Sequence, residues 1–305
     1  MKYMNVGAAP VHASQLALGC MRMGKLSVEE SRQVIEAAIA NGINFFDHAD
    51  IYGKGQSEVN FAQALKETNI QREDIYLQSK CGIRPGWFDF SKDHILNSVD
   101  GILERLQTDY LDFLLLHRPD TLVEPEEVAE AFSQLQASGK VRYFGVSNQN
   151  PLQIQLLQKS LNMPLVANQL QFGPAHTPMV DAGLNVNMLN NASIVRDGSV
   201  LDFCRLENIT IQPWSPFQVD LSQGLFMEHP AYQNLTTTLQ RYAQDKQVSF
   251  EGMVMAWILR HPAKMQPIVG SMNPQRIAQI CEGVSVELTR EEWYDIYRSA
   301  GNILP

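Results

Sequence analysis

Several features that mark other protein classes are scarce in this chain of 305 residues. The chain has four cysteines, Cys20, Cys81, Cys204 and Cys281, and no two of them form a C-x-x-C pair. Thiols this far apart suggest neither a zinc ribbon nor a disulfide framework, and they fit the reducing cytosol. We therefore expect a cytoplasmic protein with reduced thiols and no metal site.

The chain also lacks an excess of positive charge and long apolar runs. The 24 lysines and arginines are outnumbered by 33 aspartates and glutamates, and the formal net charge is -9. This balance excludes the basic surface typical of a nucleic-acid-binding protein. No segment approaches the roughly 18 apolar residues of a membrane span, and the start of the chain lacks the apolar core of a secretory signal. The sequence therefore predicts no nucleic-acid or membrane partner, and an anionic ligand requires a local basic pocket.

The glycine-rich turn G-x-G-x-x-G, which opens the nucleotide site of a doubly wound sheet, is absent. Short apolar runs such as "INFFDHA", "DIYLQSK" and "YLDFLLLH" instead alternate with amphipathic segments such as "SVEESRQVIEAAIANG", where Ser27 and Glu30 have capping-box spacing. Eight strand-then-helix units predict a (β/α)8 TIM barrel with residues 1–305 as a single domain, and an open doubly wound sheet is the alternative. The polar stretch from Pro178 to Gly198 is expected to be an inserted loop with about one helical turn.

One glycine-containing segment imitates a phosphate-binding motif. The sequence "GCMRMGKL", residues 19–26, has the spacing of a P-loop. However, Leu26 occupies the position where a serine or threonine ligates magnesium, and Met21 and Arg22 crowd a loop whose small residues should let backbone amides face phosphate. We interpret the segment as the loop after the first barrel strand.

Titratable side chains follow three neighbouring predicted strands. Asp47, Lys80 and His117 each end a strand, and Tyr52 lies in the loop after Asp47. Because residues at the carboxyl ends of barrel strands carry the chemistry of this fold, we expect the four side chains to converge. Side chains alternate along a strand, so His48 faces away from Asp47 and is expected to pack behind the barrel wall.

This combination of groups suits the transfer of a proton to an oxygen. The ammonium group of Lys80 favours a phenolate and is expected to lower the pKa of Tyr52, while Asp47 keeps Lys80 charged and His117 orients a carbonyl or relays a proton. A barrel aldolase is an alternative, in which Lys80 is a Schiff-base nucleophile and requires an uncharged amine.

Seven segments in order resemble the signatures of the aldo-keto reductase family and extend over almost the whole chain. They are "FDHADIYG", "SKCG", "LLLHRPD", "GVSN", "NQLQF", "PWSPF" and "IVGSMNPQRIAQ". The resemblance implies a (β/α)8 barrel that binds NADPH, with NADH not excluded, and reduces aldehydes or ketones to alcohols. It also implies Tyr52 as the proton donor, Asp47 and Lys80 as the pair that tunes it, and His117 as the residue that steers the carbonyl.

The resemblance further implies a set of cofactor contacts around the barrel mouth. Those near the nicotinamide are Met21, Asp47, Ser147, Asn148, Gln169 and Trp214, those along the pyrophosphate are Ser215, Pro216 and Phe217, and those at the adenosine-phosphate end are Gly270, Ser271, Met272, Arg276 and Gln279. Gly270 stands where many members have a lysine that pairs with the 2'-phosphate, so a preference for NADPH rests on Arg276 and Ser271. Gln171 stands where family members commonly have a glutamate, so the resemblance implies no charge-based contact to the adenine there.

The substrate is less clearly indicated than the reaction. Trp87 and Phe88, in the loop after the third strand, are expected to form walls of the substrate pocket. No anchored cation for a carboxylate is evident, so a hydrophobic aldehyde or ketone is expected. A protein that keeps NADPH as a redox-sensing ligand and binds a partner protein is a further alternative, since the fold alone does not dictate function.

Overall fold

The computed structural model describes residues 1–220 and 222–304, and its strands match the predicted alternation. In chain order the strands are β1 (Tyr3–Val6), β2 (Ala9–Ser14), β3 (Ala17–Gly19), β4 (Phe45–Asp47), β5 (Tyr76–Cys81), β6 (Ile83–Arg84), β7 (Trp87–Phe88), β8 (Leu111–Leu116), β9 (Val141–Ser147), β10 (Leu165–Gln171), β11 (Thr210–Trp214) and β12 (Ile268–Val269). Eight of them form one parallel sheet in the order β11-β10-β9-β8-β5-β4-β3-β12.

The two outermost strands of this sheet lie beside each other. The backbone N–H of Gln266, just before β12, donates to the carbonyl of Ile211 in β11 at 3.0 Å. The sheet is therefore a nearly closed barrel. The predicted (β/α)8 fold is confirmed, and the open doubly wound alternative is wrong.

Helices cover the outside of the barrel. They are α1 (Val28–Ala40), α2 (Gln56–Lys66), α3 (Lys92–Leu106), α4 (Pro125–Ala137), α5 (Pro151–Ser160), α6 (Pro178–Leu184), α7 (Val200–Leu206), α8 (Gln233–Asp245), α9 (Phe250–Leu259), α10 (Pro274–Glu282) and α11 (Arg290–Ser299). The predicted capping box of α1 is confirmed, since Ser27 and Glu30 exchange side-chain-to-backbone hydrogen bonds. In the predicted insertion, α6 is longer than the single turn expected. Within residues 1–220 and 222–304, no helix is long and apolar enough to cross a bilayer.

The hairpin of β1 and β2 covers the amino-terminal end of the barrel. Its apolar residues, Val6 and Ala9 among them, pack against Phe45 and Phe113 inside the barrel. At the tip, the N–H of Gly7 donates to Thr210 Oγ1 at 2.7 Å, and a Cβ added at Gly7 would lie 2.3 Å from a neighbouring carbonyl oxygen. Only glycine permits this approach. The barrel is thus closed at this end, and a ligand enters from the other end, where the carboxyl ends of the strands lie.

The last helix is fastened to the rest of the barrel by aromatic residues. The rings of Trp257 in α9 and Trp293 in α11 stack at 4.8 Å. Each indole N–H donates to the backbone carbonyl of the other residue, at 3.1 and 3.0 Å. The hydroxyl of Tyr297 donates to Asp181 Oδ1 in α6 at 2.7 Å. Helix α11 therefore connects the outer helices with the insertion.

Candidate active site

The ammonium group of Lys80 is at the centre of the predicted cluster. It is fully buried at the end of β5, and it lies 2.7 and 2.8 Å from the two carboxylate oxygens of Asp47 in β4. It also donates to the carbonyl of His48 at 2.7 Å and to the hydroxyl of Tyr52 at 3.3 Å. An ammonium group has three protons, so these three acceptors use them all. Although burial lowers the pKa of Lys80, Asp47 and Tyr52 raise it above its ordinary value, so the amine is charged.

Tyr52 is held by the tight turn that follows β4. Its backbone N–H donates to the carbonyl of Ala49 at 3.0 Å, and the next two residues, Gly53 and Lys54, have positive φ values of 58° and 57°. The sequence "YGKG" therefore folds back on itself and directs the phenol into the barrel mouth. Burial raises the pKa of Tyr52 above 10.0, and this effect exceeds the opposing effect of Lys80. The expected lowering of the pKa of Tyr52 is thus wrong in its net direction.

His117 follows β8 and faces the phenol. Its ring meets the ring of Tyr52 edge-on, with centroids 5.9 Å apart. Burial, together with the charges of Lys80 and Arg118, lowers the pKa of His117 well below 6.5. The imidazole is therefore neutral at neutral pH, which suits a group that orients an oxygen.

A layer of buried glutamines lies beneath Asp47. Gln78 Nε2 and Gln169 Nε2 donate to Asp47 Oδ1 at 2.6 and 3.1 Å. Gln212 bonds to Gln78, Gln169 and Gln266, and Gln266 Nε2 donates to the carbonyl of Ser14 at 2.8 Å. The carboxylate is therefore fixed by a chain of amides that reaches the amino-terminal hairpin. Gln78, Gln212 and Gln266 were not predicted from the sequence; the one usable signal was that Gln78 is two residues before Lys80 on β5 and therefore faces the same side.

Four residues assigned by resemblance to the nicotinamide end lie together at the mouth. Ser147 Oγ donates to the carbonyl of Gln169 at 3.0 Å, and Asn148 Nδ2 donates to Ser147 Oγ at 2.8 Å. Trp214 Nε1 donates to Asn148 Oδ1 at 3.2 Å. The two amide protons of Gln169 point to Asp47 and Gln212, and its Oε1 atom has no partner among the described residues. This oxygen remains free to accept a hydrogen bond from a ligand.

A cleft of about 1240 Å³ begins at Tyr52 and His117 and extends to the start of α10. Such a volume exceeds the roughly 300–1,000 Å³ of ordinary small-molecule pockets, so it suits a long ligand. Thirteen of the fourteen residues assigned to the cofactor line it: Met21, Asp47, Ser147, Asn148, Gln169, Trp214, Ser215, Pro216, Phe217, Gly270, Ser271, Met272 and Arg276.

Three predicted residues are placed elsewhere. Gln279, unlike Arg276 on the same helix α10, does not line the cleft; its backbone carbonyl accepts from Ser249 Oγ beside α9. Trp87 and Phe88 form β7 of a small hairpin, are 53% and 41% exposed, and do not line either described cleft. Ile83, in the paired strand β6, lines the first cleft instead.

Two arginines at the cleft were not assigned a role from the sequence. Arg22, in the P-loop-like segment, lines the cleft, and its Nη1 lies 3.4 Å from the carbonyl of Gly270. Arg118 follows His117 and lines both the first cleft and an adjoining cleft of about 760 Å³. Since Arg276 also lines the first cleft, this acidic protein presents three arginines there. The charge of the cleft is mixed, because it is also lined by the acidic residues Glu30, Asp47, Glu228 and Glu251. Arg22 and Arg276, near the start of α10, are the cations available to an anionic group at that end.

The remaining polar groups near the cluster point away from the cleft. His48 is fully buried, packs edge-on against Phe61 in α2 at 4.6 Å and has no hydrogen-bond partner on either ring nitrogen among the described residues. It lies behind the barrel wall, as predicted. Cys81 is buried as well, and burial raises the pKa of its thiol. In the described part of the chain, no group of three or more His, Cys, Asp or Glu side chains is arranged to hold a metal ion.

Comparisons with known proteins identify the family of the chain. A family model described as the aldo/keto reductase family matches residues 15–300. The chain is 35% identical over 300 residues to the oxidoreductase YdhF of Escherichia coli (strain K12), covering 94% of this chain and 93% of YdhF. It is 32% identical over 302 residues to a 6-dehydroglucose reductase of Agrobacterium fabrum, covering 94% of each chain.

A solved structure shows the same fold. The thermostable aldo-keto reductase Tm1743, crystallised with the inhibitor epalrestat, superimposes with a TM-score of 0.78 at 23% identity. The superposition covers 98% of this chain and 100% of that one. The likeness therefore extends over the whole barrel.

Proposed function

Since the chain belongs to the aldo/keto reductase family and is an oxidoreductase of carbonyl compounds, we propose that it reduces aldehydes or ketones to alcohols with NADPH and that Tyr52 donates the proton. The observation that carries this proposal is the position of the Tyr52 hydroxyl. It lies 3.3 Å from the charged amine of Lys80 and lines the same cleft as His117.

The cleft residues fit a nicotinamide dinucleotide. Gln169 Oε1 is a free acceptor for a carboxamide, Trp214 offers an aromatic face, and Arg22 and Arg276 lie towards the other end of the cleft. Helix α10 begins there, and helix starts favour phosphate groups. When bound, such a cofactor supplies the hydride for the carbonyl carbon.

The side chains have distinct parts in the proposed reaction. His117 is neutral and orients the carbonyl oxygen next to the Tyr52 hydroxyl. Tyr52 donates its proton to that oxygen as negative charge develops there. The resulting phenolate lies beside the ammonium group of Lys80, which Asp47 keeps charged and in place. The buried pair thereby stabilises the form of Tyr52 that the protein otherwise disfavours.

The first test is the replacement Tyr52→Phe. We expect carbonyl reduction to fall by about 10²- to 10⁴-fold in kcat, the usual contribution of a positioned general acid. The dissociation constant for NADPH, measured by fluorescence titration, should change little. Tyr110→Phe is the matched control, because Tyr110 lies at the opposite end of β8 and stacks with Arg72 and Arg142. Full activity of the Tyr52→Phe variant would mean that another group donates the proton.

The preference for NADPH is proposed on the arginines of the cleft. Arg276 is paired with Glu251 at 3.3 Å, and its side chain is 57% exposed, so it can turn towards a 2'-phosphate. We expect a higher kcat/KM with NADPH than with NADH, and we expect Arg276→Ala to reduce that ratio by about tenfold, the effect of losing one charged hydrogen bond. An equal kcat/KM for both cofactors in the unaltered protein would contradict the proposal.

The alternative reactions receive less support. A Schiff-base aldolase needs an uncharged amine, whereas all three ammonium protons of Lys80 have acceptors. A redox sensor without turnover is separated from a reductase by steady consumption of NADPH in the presence of aldehydes. Tight NADPH binding without turnover of any carbonyl would favour the sensor.

A further inference from the structure

Arg118 differs from the other arginines of the described chain because it is partly buried and has no partner. Of the fourteen arginines in the sequence, twelve have a hydrogen-bond or ion-pair partner among the described residues, and the exceptions are Arg118 and the exposed Arg290. A partly buried guanidinium group in a cleft, whose N–H donors have no acceptor within residues 1–220 and 222–304, is available to an anionic ligand.

The surroundings of Arg118 supply no direct ion-pair partner within the described part of the chain. Asp47 is neutralised by Lys80, and His117 is neutral. In the adjoining cleft, Asp197 accepts from the backbone N–H of Ser199, and Asp220 accepts from Ser222 and Gln223. These two carboxylates line the same cleft as Arg118 but bond to neutral donors, so Arg118 has no ion-pair partner among the described residues beside the Tyr52–His117 pair.

The position of Arg118 is also suited to a substrate. Its guanidinium carbon lies 5.7 Å from the centre of the Trp214 ring, which orients the side chain across the mouth. Arg118 directly follows His117, and it lines both clefts, so it stands between the proposed carbonyl site and the adjoining cleft. A planar guanidinium group in this place matches a carboxylate, which it can bind through two parallel hydrogen bonds.

We propose that the substrate is an aldehyde or ketone that carries a carboxylate, and that Arg118 binds this carboxylate while the carbonyl oxygen lies between Tyr52 and His117. The inference rests on the proposed carbonyl reductase function. It replaces the hydrophobic substrate expected from the sequence, where Arg118 was not recognised as an anchored cation.

The experiment compares charged substrates with neutral analogues of nearly the same shape. The probes are 3- and 4-carboxybenzaldehyde and their methyl esters, each assayed with NADPH in the unaltered protein and in Arg118→Met, which keeps an apolar stem of similar length. The unaltered protein should have a kcat/KM at least about tenfold higher for one of the acids than for its ester. In Arg118→Met the value for that acid should fall by roughly 10- to 100-fold, mainly through KM, as expected for the loss of a charged hydrogen bond.

Two controls make the result specific. Reduction of the esters and the KM for NADPH should stay within about threefold in Arg118→Met, less than a single hydrogen bond contributes, which also shows that the variant folds. Arg118→Lys should retain part of the preference for the acid that Arg118→Met loses, since lysine keeps the positive charge but lacks the two parallel N–H donors of a guanidinium group. If acids and esters are reduced equally well, or if the variant loses both alike, the inference is wrong and the reductase function stands. If the unaltered protein reduces neither, the proposed function fails and the inference fails with it.

Discussion

The protonation of Tyr52 follows from a balance between burial and a neighbouring charge. The sequence predicted that Lys80 would lower the pKa of Tyr52, and the structure shows that burial has the larger effect. The phenol is therefore fully protonated at neutral pH. This is the form that a proton donor requires, so the proposed role does not depend on a lowered pKa.

Single residues at strand ends were well predicted from the sequence. Asp47 is the last residue of β4, Lys80 is the last but one of β5, and His117 directly follows β8; the barrel geometry brings such positions together. Arg118 was overlooked because the partner of a side chain cannot be read from sequence. Gln279 was placed in the cleft by resemblance, although the direction it faces on α10 depends on how that helix packs.

Asp50, two residues before Tyr52, is a partly buried acid whose ionised form is disfavoured. Burial and the nearby Glu58 raise its pKa from 3.8 to about 6, against the opposing effects of Arg105 and Lys80. Between about pH 4 and pH 6 the folded protein holds a proton that the unfolded chain releases, so the free energy of unfolding decreases as the pH rises through this window. The penalty is complete above about pH 6.

We expect Asp50→Asn to raise the free energy of unfolding at pH 7 by roughly 2 to 3 kcal/mol, because the amide avoids the cost of ionisation. Urea unfolding at pH 7 and pH 4.5 measures the effect, and the gain should shrink at pH 4.5. Asp109→Asn, at an exposed position, is the control and should change little. A gain of equal size at both pH values would show that ionisation of Asp50 is not the cause.

At the scale of the elements, the inner faces of the barrel strands have a layer of polar side chains. This layer holds Asp47 in a fixed position. Gln78 shares the inward face of β5 with Lys80, and Gln169 and Gln212 occupy facing positions on β10 and β11. Alternation along each strand allowed the sequence to separate Asp47 from His48. The cross-strand register that joins the glutamines depends on the closed barrel, so the sequence alone did not reveal the layer.

We expect Gln212→Leu to reduce both stability and catalysis. The change removes the donor to the buried Oε1 atoms of Gln78 and Gln266, which costs about 1 to 3 kcal/mol in the free energy of unfolding. Because Asp47 loses its fixed support, kcat for carbonyl reduction should fall by about tenfold. Asp112→Asn is the control, since Asp112 is buried in β8 and bonds to Arg72 and Arg142 at another place in the fold. Asp112→Asn should lower stability and leave kcat unchanged. If kcat is also unchanged in Gln212→Leu, the glutamine layer does not contribute to catalysis.

Short or irregular elements were the least predictable. The hairpin of β6 and β7 has two residues in each strand, too few for a periodic pattern, and it turns Trp87 and Phe88 away from the clefts. The hairpin of β1 and β2 was also missed, because its apolar residues gain their packing only from the barrel interior. In both cases tertiary contacts decide the structure.

At the scale of the whole molecule, residues far apart in sequence close the barrel at three places. The amino-terminal hairpin covers one end, Gln266 joins β12 to β11, and α11 fastens α9 to α6. The fold class could be predicted from the eight strand-then-helix units. The contacts that close the barrel could not be predicted from the sequence. We propose that residues 1–305 form a single domain on the basis of this continuous packing.

We expect Trp293→Ala to destabilise the protein by about 3 to 5 kcal/mol, as for other buried aromatic residues. The change removes a ring that stacks on Trp257 and Tyr297, and it leaves a cavity between α9 and α11. Chemical denaturation followed by circular dichroism measures the loss, and a single transition is expected if the chain is one domain. Glu291→Ala, on the exposed side of the same helix, is the control and should cost under about 0.5 kcal/mol. A small loss in Trp293→Ala would show that α11 is dispensable.

The complete engagement of the Lys80 ammonium group has a consequence for covalent labelling. Reagents that acylate amines attack the uncharged, accessible form, and the Lys80 amine is charged, fully bonded and out of contact with solvent. In the intact barrel it should be the slowest lysine to be tagged, long after the surface lysines. Its appearance among tagged peptides in mass spectrometry would therefore report opening of the barrel around the site.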